Sequence, residues 1–199
     1  GVFSALTSAD YCNAVGYGAL DALTSGGTNS AFGCRALRFN TTGYDNNAFG
    51  FDSLYANTSG TFNNAYGNNS LKYNITGQFN AAFGHSALQN TSGTGNVGLG
   101  MNAGNGNTTG SYNTYLGYNT DNNANNYTKS TSIGWNATAT ASNQIVIGTS
   151  TETVYIPGKL GIGTTNPDRE FNVYTNTNYG GMRVFDSTSS CVLFGRDNT

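Results

Sequence analysis

A glycine returns at a nearly fixed interval through three quarters of this chain. Gly16, Gly33, Gly50, Gly67, Gly84, Gly100, Gly117, Gly134 and Gly148 are separated by 17, 17, 17, 17, 16, 17, 17 and 14 residues. Each closes a short apolar block, as in Ala31-Phe32-Gly33, Ala48-Phe49-Gly50, Ala65-Tyr66-Gly67 and Ala82-Phe83-Gly84. Other slots keep the same step. A leucine stands four residues after the glycine (Leu20, Leu37, Leu54, Leu71, Leu88), preceded by a small residue (Ala19, Ala36, Ser53, Ser70, Ala87). A second glycine (Gly26, Gly43, Gly60, Gly77, Gly93, Gly110) closes a polar corner that Asn40, Asn57, Asn74, Asn90 and Asn107 open in successive copies. A sustained period of this length is the signature of a solenoid, whose units cannot bury an apolar face alone and must stack.

Seventeen extended residues would reach ~56 Å, so each unit has to turn at least once. Two glycines per unit, with Asn and Thr between them and no 3.6-residue apolar stripe, argue against helix. The spacing predicts an all-β fold: a parallel β-roll or β-helix of stacked coils, with positive φ supplied by both glycines. Like side chains then lie over like, ~4.8 Å apart. One expected core column is Phe32, Phe49, Tyr66 and Phe83; the other is Leu37, Leu54, Leu71 and Leu88. The Ala/Ser slots are expected to line one outer face. Small residues there would let copies of the chain pack closely, and threefold cyclic association closes such an interface.

The period ends in stages. Asp121 takes the leucine slot, Asn122 to Tyr127 reads as a polar loop, and a 14-residue coil runs from Gly134 to Gly148. Residues 1–148 are therefore read as the repeat region, 149–167 as a junction and 168–199 as the start of a distal β element. Within the junction, Thr153-Val154-Tyr155-Ile156 alternates as a strand does. The first residue is Gly1, and Phe3-Ser4-Ala5-Leu6 already reads as repeat, so the chain is expected to be a segment of a longer polypeptide or a processed product.

The repeats, from Asn13-Ala14-Val15-Gly16-Tyr17 to Ala19-Leu20 with their Asn-Thr-Thr-Gly corners, resemble those of phage and virus tail fibres and of bacterial fibre proteins. The 14-residue coil around Ile133-Gly134 and Ile147-Gly148 is similar to the head repeat of trimeric autotransporter adhesins. That resemblance implies a left-handed parallel β-roll that forms a homotrimer. Gly161-Ile162-Gly163-Thr164-Thr165-Asn166-Pro167 is similar to a junction that precedes shaft, tip or chaperone regions in such fibres.

Composition narrows the partners. Charged residues are 9% of the chain and the net charge is −2, so no basic stripe is available for nucleic acid. No apolar run approaches the ~20 residues that span a bilayer. Cys12, Cys34 and Cys191 share no metal-ligand spacing. The single histidine, His85, occupies the slot after the first glycine that Tyr17, Cys34, Phe51 and Trp135 fill elsewhere. No catalytic constellation, cofactor loop or metal set is legible, and no enzymatic activity or cofactor is expected. A polysaccharide-degrading β-helix would need an acidic groove, for which Asp45, Asp52 and Asp121 are the residues to test.

Two other features bear on function. Asn40, Asn57, Asn68, Asn74, Asn90, Asn107, Asn126 and Asn136 each begin an Asn-x-Ser/Thr triplet. They are either N-glycan acceptors or turn residues that bond their own backbone. Tyr44, Tyr55, Tyr73, Tyr112 and Tyr127 lie outside the aromatic column and suit either interface packing or sugar rings. The expected role is a non-enzymatic fibre at the cell surface, in the extracellular space or on a virion, serving attachment to a cell-surface glycan or receptor. The alternative is a subunit of an extracellular filament, an open helical polymer with or without glycans.

Overall fold

The computed structural model describes residues 11–162, 165–166, 171–173, 184–185 and 191–192. The repeat region is a parallel β-solenoid with coils of about seventeen residues. Each coil contributes one three-residue strand to a nine-stranded parallel sheet, in the order β1 (Asn13–Val15), β2 (Ser30–Phe32), β3 (Asn47–Phe49), β4 (Asn64–Tyr66), β5 (Ala81–Phe83), β6 (Val97–Leu99), β7 (Thr114–Leu116), β9 (Thr131–Ile133) and β11 (Ile145–Ile147). Register follows the sequence period: Ala31 faces Ala48, which faces Ala65, and Phe49 faces Tyr66. Hydrogen bonding between coils continues beyond the strands. The N–H groups of Leu37, Phe39 and Thr41 donate to the carbonyls of Ser53, Tyr55 and Thr58 at 3.0, 3.1 and 2.9 Å.

Strand alternation decides what is inside. The middle residue of each strand points inward, so Ala31, Ala48, Ala65 and Ala82 form one wall of the core, with the buried leucines Leu20, Leu37, Leu54, Leu71 and Leu88 packed in the same cluster. The aromatic column expected in the core lies on the outer face instead. Its rings do stack, with centroids 4.8, 4.7 and 4.9 Å apart along Phe32, Phe49, Tyr66 and Phe83. Yet Phe32 is 37% exposed and Phe83 41%. Adjacent strand residues face opposite ways, so alanine and aromatic cannot both point in, and the interior is filled by alanine and leucine. The small slots are corrected as well. Ala19, Ala36, Ser53, Ser70 and Ala87 are fully buried within the coil and form no outer face; the Ser53 and Ser70 hydroxyls donate to the carbonyls of Gly50 and Gly67.

The turn after each strand is tighter than glycine alone explains. Gly33, Gly50, Gly67 and Gly84 hold φ between +136° and +146°. Two residues on, Arg35, Asp52, Asn69 and Ser86 are left-handed, and so are the leucines, with φ from +49° to +51° at Leu20, Leu37, Leu54, Leu71 and Leu88. A left-handed residue with a Cβ costs roughly 1–2 kcal/mol. Full burial of a leucine contributes ~1.5–3 kcal/mol in return, and the hydrogen bonds between coils add to it. The second glycine of the unit is not in the positive-φ region. Gly43, Gly60 and Gly77 are needed for space: a Cβ there would run into the carbonyl of the next coil's glycine and the side-chain oxygen of the asparagine three residues before.

From Gly100 onward the cross-section changes. Gly104 occupies the leucine slot and Tyr115 the alanine slot, and the buried Tyr115 ring fills the space that the missing leucine leaves. A second, two-stranded parallel sheet then forms from β8 (Asp121–Asn122) and β10 (Thr138–Ala139).

Two compact units divide between Thr153 and Val154, inside the segment read as a junction. In the second unit Val154, Tyr155 and Ile156 are exposed and form no strand, against the alternation that predicted one. Among the described residues they pair with no other segment, and Pro157 follows, a residue unable to donate a ladder hydrogen bond. Instead β12 (Leu160–Ile162) pairs in parallel with β13 (Phe171–Val173), so one sheet spans the 167/168 boundary. An antiparallel pair joins β14 (Val184–Phe185) and β15 (Cys191–Val192).

Candidate functional site

The most distinctive chemistry of the molecule is two ladders of buried amides. In the first, Asn40, Asn57 and Asn74 lie one above another. The side-chain nitrogen of Asn57 donates to Oδ1 of Asn40 at 2.9 Å, and that of Asn74 to Oδ1 of Asn57 at 3.2 Å. Each amide also donates to the carbonyl of the glycine three residues on. The fourth position is held by Thr91, whose hydroxyl accepts from Asn107 at 3.1 Å. Asn90, read from the sequence as a member of this slot, is exposed instead. The reason is where the shortened coil loses its residue: the count of three from leucine to ladder is kept (Leu71 to Asn74, Leu88 to Thr91), and the deletion falls between Thr91 and Gly93.

Sequence reasoning missed the second ladder. Asn29, Asn46, Asn63, Asn80, Asn96 and Asn113 are all fully buried. Asn46 donates through Nδ2 to Oδ1 of Asn29 at 3.1 Å and to the carbonyl of Gly60 at 2.8 Å, and its backbone N–H meets the same Oδ1 at 3.1 Å. Asn63 and Asn80 repeat the pattern. Ser130 receives the ladder at one end, and the Cys12 sulfur, 3.4 Å from the Asn29 backbone nitrogen, at the other. The signal was present, since these asparagines keep the period as strictly as the glycines do.

These ladders correct the glycan reading. Asn40, Asn57, Asn74 and Asn107 are fully buried, and each amide nitrogen donates a hydrogen bond within the coil. A sugar on Nδ2 would break the ladder, so the triplets there serve as interior structure. Asn68, Asn90 and Asn126 are exposed and Asn136 is half-buried. The surviving acceptors therefore do not form a continuous edge.

Outside, three features stand out. The first is the ridge formed by the third residue of each strand, from Val15 to Ile147. The second is a charged and aromatic cluster across three coils. Arg35 grips Asp52 through Nε and Nη2 at 2.7 and 2.8 Å, and Lys72 Nζ lies 3.0 Å from the same carboxylate. The Arg35 guanidinium sits over the rings of Phe51 and Tyr55, and Lys72 lies beside Tyr55 and Tyr73. The Asp52 side chain is 1% exposed, its charge answered by two cations. The third is a short aromatic run in which Tyr44 meets Phe62 edge-on and Phe62 stacks on Phe79.

The remaining residues singled out are dispersed. Asp45 accepts from the Thr28 hydroxyl on the surface. Asp121 accepts from the Gly106 N–H at 2.7 Å, and burial raises its carboxyl above the usual range despite that bond and one from Asn122. Burial also raises the Tyr115 phenol, which accepts from Asn122 Nδ2 at 2.7 Å. Asp45, Asp52 and Asp121 thus occupy three different slots of the coil. His85 is exposed, and Tyr112 projects beside Gly95. The Tyr127 carbonyl accepts from Asn113. Cys12 and Cys34 form no disulfide. Among the described residues no group of three His, Cys, Asp or Glu could hold a metal, and no helix is long and apolar enough to cross a membrane. The sequence matches no family model, and no curated protein is significantly similar to it.

Proposed function

We propose that this chain is part of a non-enzymatic structural fibre, displayed outside a cell or on a virion, which works as a homotrimer and holds an attachment function at a distance from its base. The observation that carries this reading is the unbroken column of coils. Nine strands at ~4.8 Å spacing give a rod of ~40 Å. Along it, main-chain hydrogen bonds and two interior amide ladders run parallel to the axis, so bending the rod strains every layer at once. Such an interior suits spacing and rigidity. The binding partner is a cell-surface glycan or receptor, met by the exposed aromatics or by regions beyond the repeats.

The test is electron microscopy and sedimentation of the full chain, followed by binding to intact cells and to glycan arrays. Discrete trimeric rods that bind a surface ligand support the fibre. An open helical polymer replaces it with the filament, and a compact monomer overturns both.

A further inference from the structure

The outer face of the nine-stranded sheet carries a feature that a single chain does not use. The third strand residue of every coil is apolar and points outward, from Val15 through Phe32, Phe49, Tyr66 and Phe83 to Ile147. The column is continuous, because each strand pairs in register with the next. Most of its members are more than a third exposed although stacked on their neighbours. None of the charged residues between positions 11 and 148 falls on any of the nine strands; all lie on the turns, the corners or β8.

We propose that this ridge is the surface on which copies of the chain meet, each packing its ridge against those of two others with the rods side by side. The inference rests on the homotrimeric fibre reading and names its interface. Three observations choose a second copy as the occupant. The face carries no charge, so identical surfaces can be brought together without opposing like charges. The nine ridge residues, four aromatic and five aliphatic, are exposed by roughly two fifths and together offer ~700 Å², above the ~300–600 Å² patch of a typical monomer. Divided between two neighbours this is ~350 Å² of the ~800 Å² per partner that a stable interface buries, the rest falling to the residues flanking the ridge. The ridge is also as long as the sheet itself, which fits a partner with the same coil spacing. A small ligand would cover only a part of it.

The experiment compares the full chain with a Phe49→Lys/Leu99→Lys variant and with an Ile75→Lys control, whose side chain is exposed on the Asn-Thr corner away from the ridge. Sedimentation gives the mass, and far-UV circular dichroism reports the fold. The wild type and Ile75→Lys are expected to be oligomeric. The ridge variant is expected to be folded and monomeric, with dissociation raised at least about a hundredfold, because each lysine would be buried without a partner. If the ridge variant folds and keeps the wild-type mass, the ridge is not the interface, while the fibre reading stands. If the wild type is itself a monomer, both fall. Should the variant fail to fold, hydroxyl-radical labelling of the wild type decides. Protection of Phe49, Tyr66 and Leu99 relative to Tyr73 and Ile75 supports the interface, and equal labelling overturns it.

Discussion

The side-chain amide of Asn63 binds Asn46 in the coil beside it and, at the same time, the carbonyl of Gly77, at 3.1 and 2.8 Å. One buried residue thereby joins two layers of the stack and ties the strand to the opposite corner of the coil. A buried donor or acceptor left without a partner costs ~1–3 kcal/mol. Asn63→Ala leaves the buried Asn80 backbone N–H without its acceptor and takes one of two donors from each of Asn46 Oδ1 and the Gly77 carbonyl, and is expected to destabilise by about 2–3 kcal/mol. The neighbouring Asn64→Ala, in the half-exposed outer ladder with Asn47, is expected to stay within about 0.5 kcal/mol. Urea unfolding of the two variants checks the contrast.

Gly67 and Gly18 both have positive φ, but only one of them lacks room. A Cβ on Gly67 would strike the carbonyl of Gly84, whereas on Gly18 its nearest neighbour is the flexible Arg35 side chain at 3.7 Å. Gly18→Ala is expected to cost about 1 kcal/mol, the price of the left-handed conformation. Gly67→Ala must also push two coils apart and is expected to cost ~3 kcal/mol or more. Thermal unfolding midpoints separate them.

Tyr115 and Gly104 form a matched pair in which one side chain occupies the other's place. Tyr115→Ala opens a cavity and is expected to cost ~3–5 kcal/mol. Gly104→Leu alone collides with the Tyr115 ring. The double variant restores the alanine and leucine arrangement of the preceding coils and is expected to recover most of the loss, a coupling that a double-mutant cycle measures directly.

Asp121 gives the solenoid a pH dependence of defined sign. Burial raises its folded carboxyl above the unfolded value, so the folded state holds the proton more tightly. Its contribution is then most favourable below the unfolded value of ~3.9 and declines as pH rises through the folded one. Asp121→Asn is expected to flatten the stability profile in that window, measured by chemical denaturation across a pH series.

The period, the coil length and the parallel stacking were legible because each depends on spacing, and glycine and leucine mark spacing plainly. Which face of the strand turns inward was not. Ala48 and Phe49 are both apolar, and choosing between them requires the width of the interior, which the left-handed leucines set. Leu54 at φ +51° defies local preference; only its burial and its hydrogen bonds between coils hold it there. The Asn29 to Asn113 ladder was readable in principle, but asparagine ordinarily signals a turn, and six buried copies run against that habit. Asn90 misled for a narrower reason, a one-residue deletion whose position the spacing alone leaves open.

Every prediction above depends on successive coils lying in register. A crystal or electron cryo-microscopy structure resolving side chains tests it most directly at Phe49 and Tyr66, whose rings are separated by 4.7 Å and tilted by 4°. Parallel rings in contact there, with Ala48 against Ala65 behind them, are the expected result. Rings apart in space, or Phe49 turned into the coil interior, would contradict it.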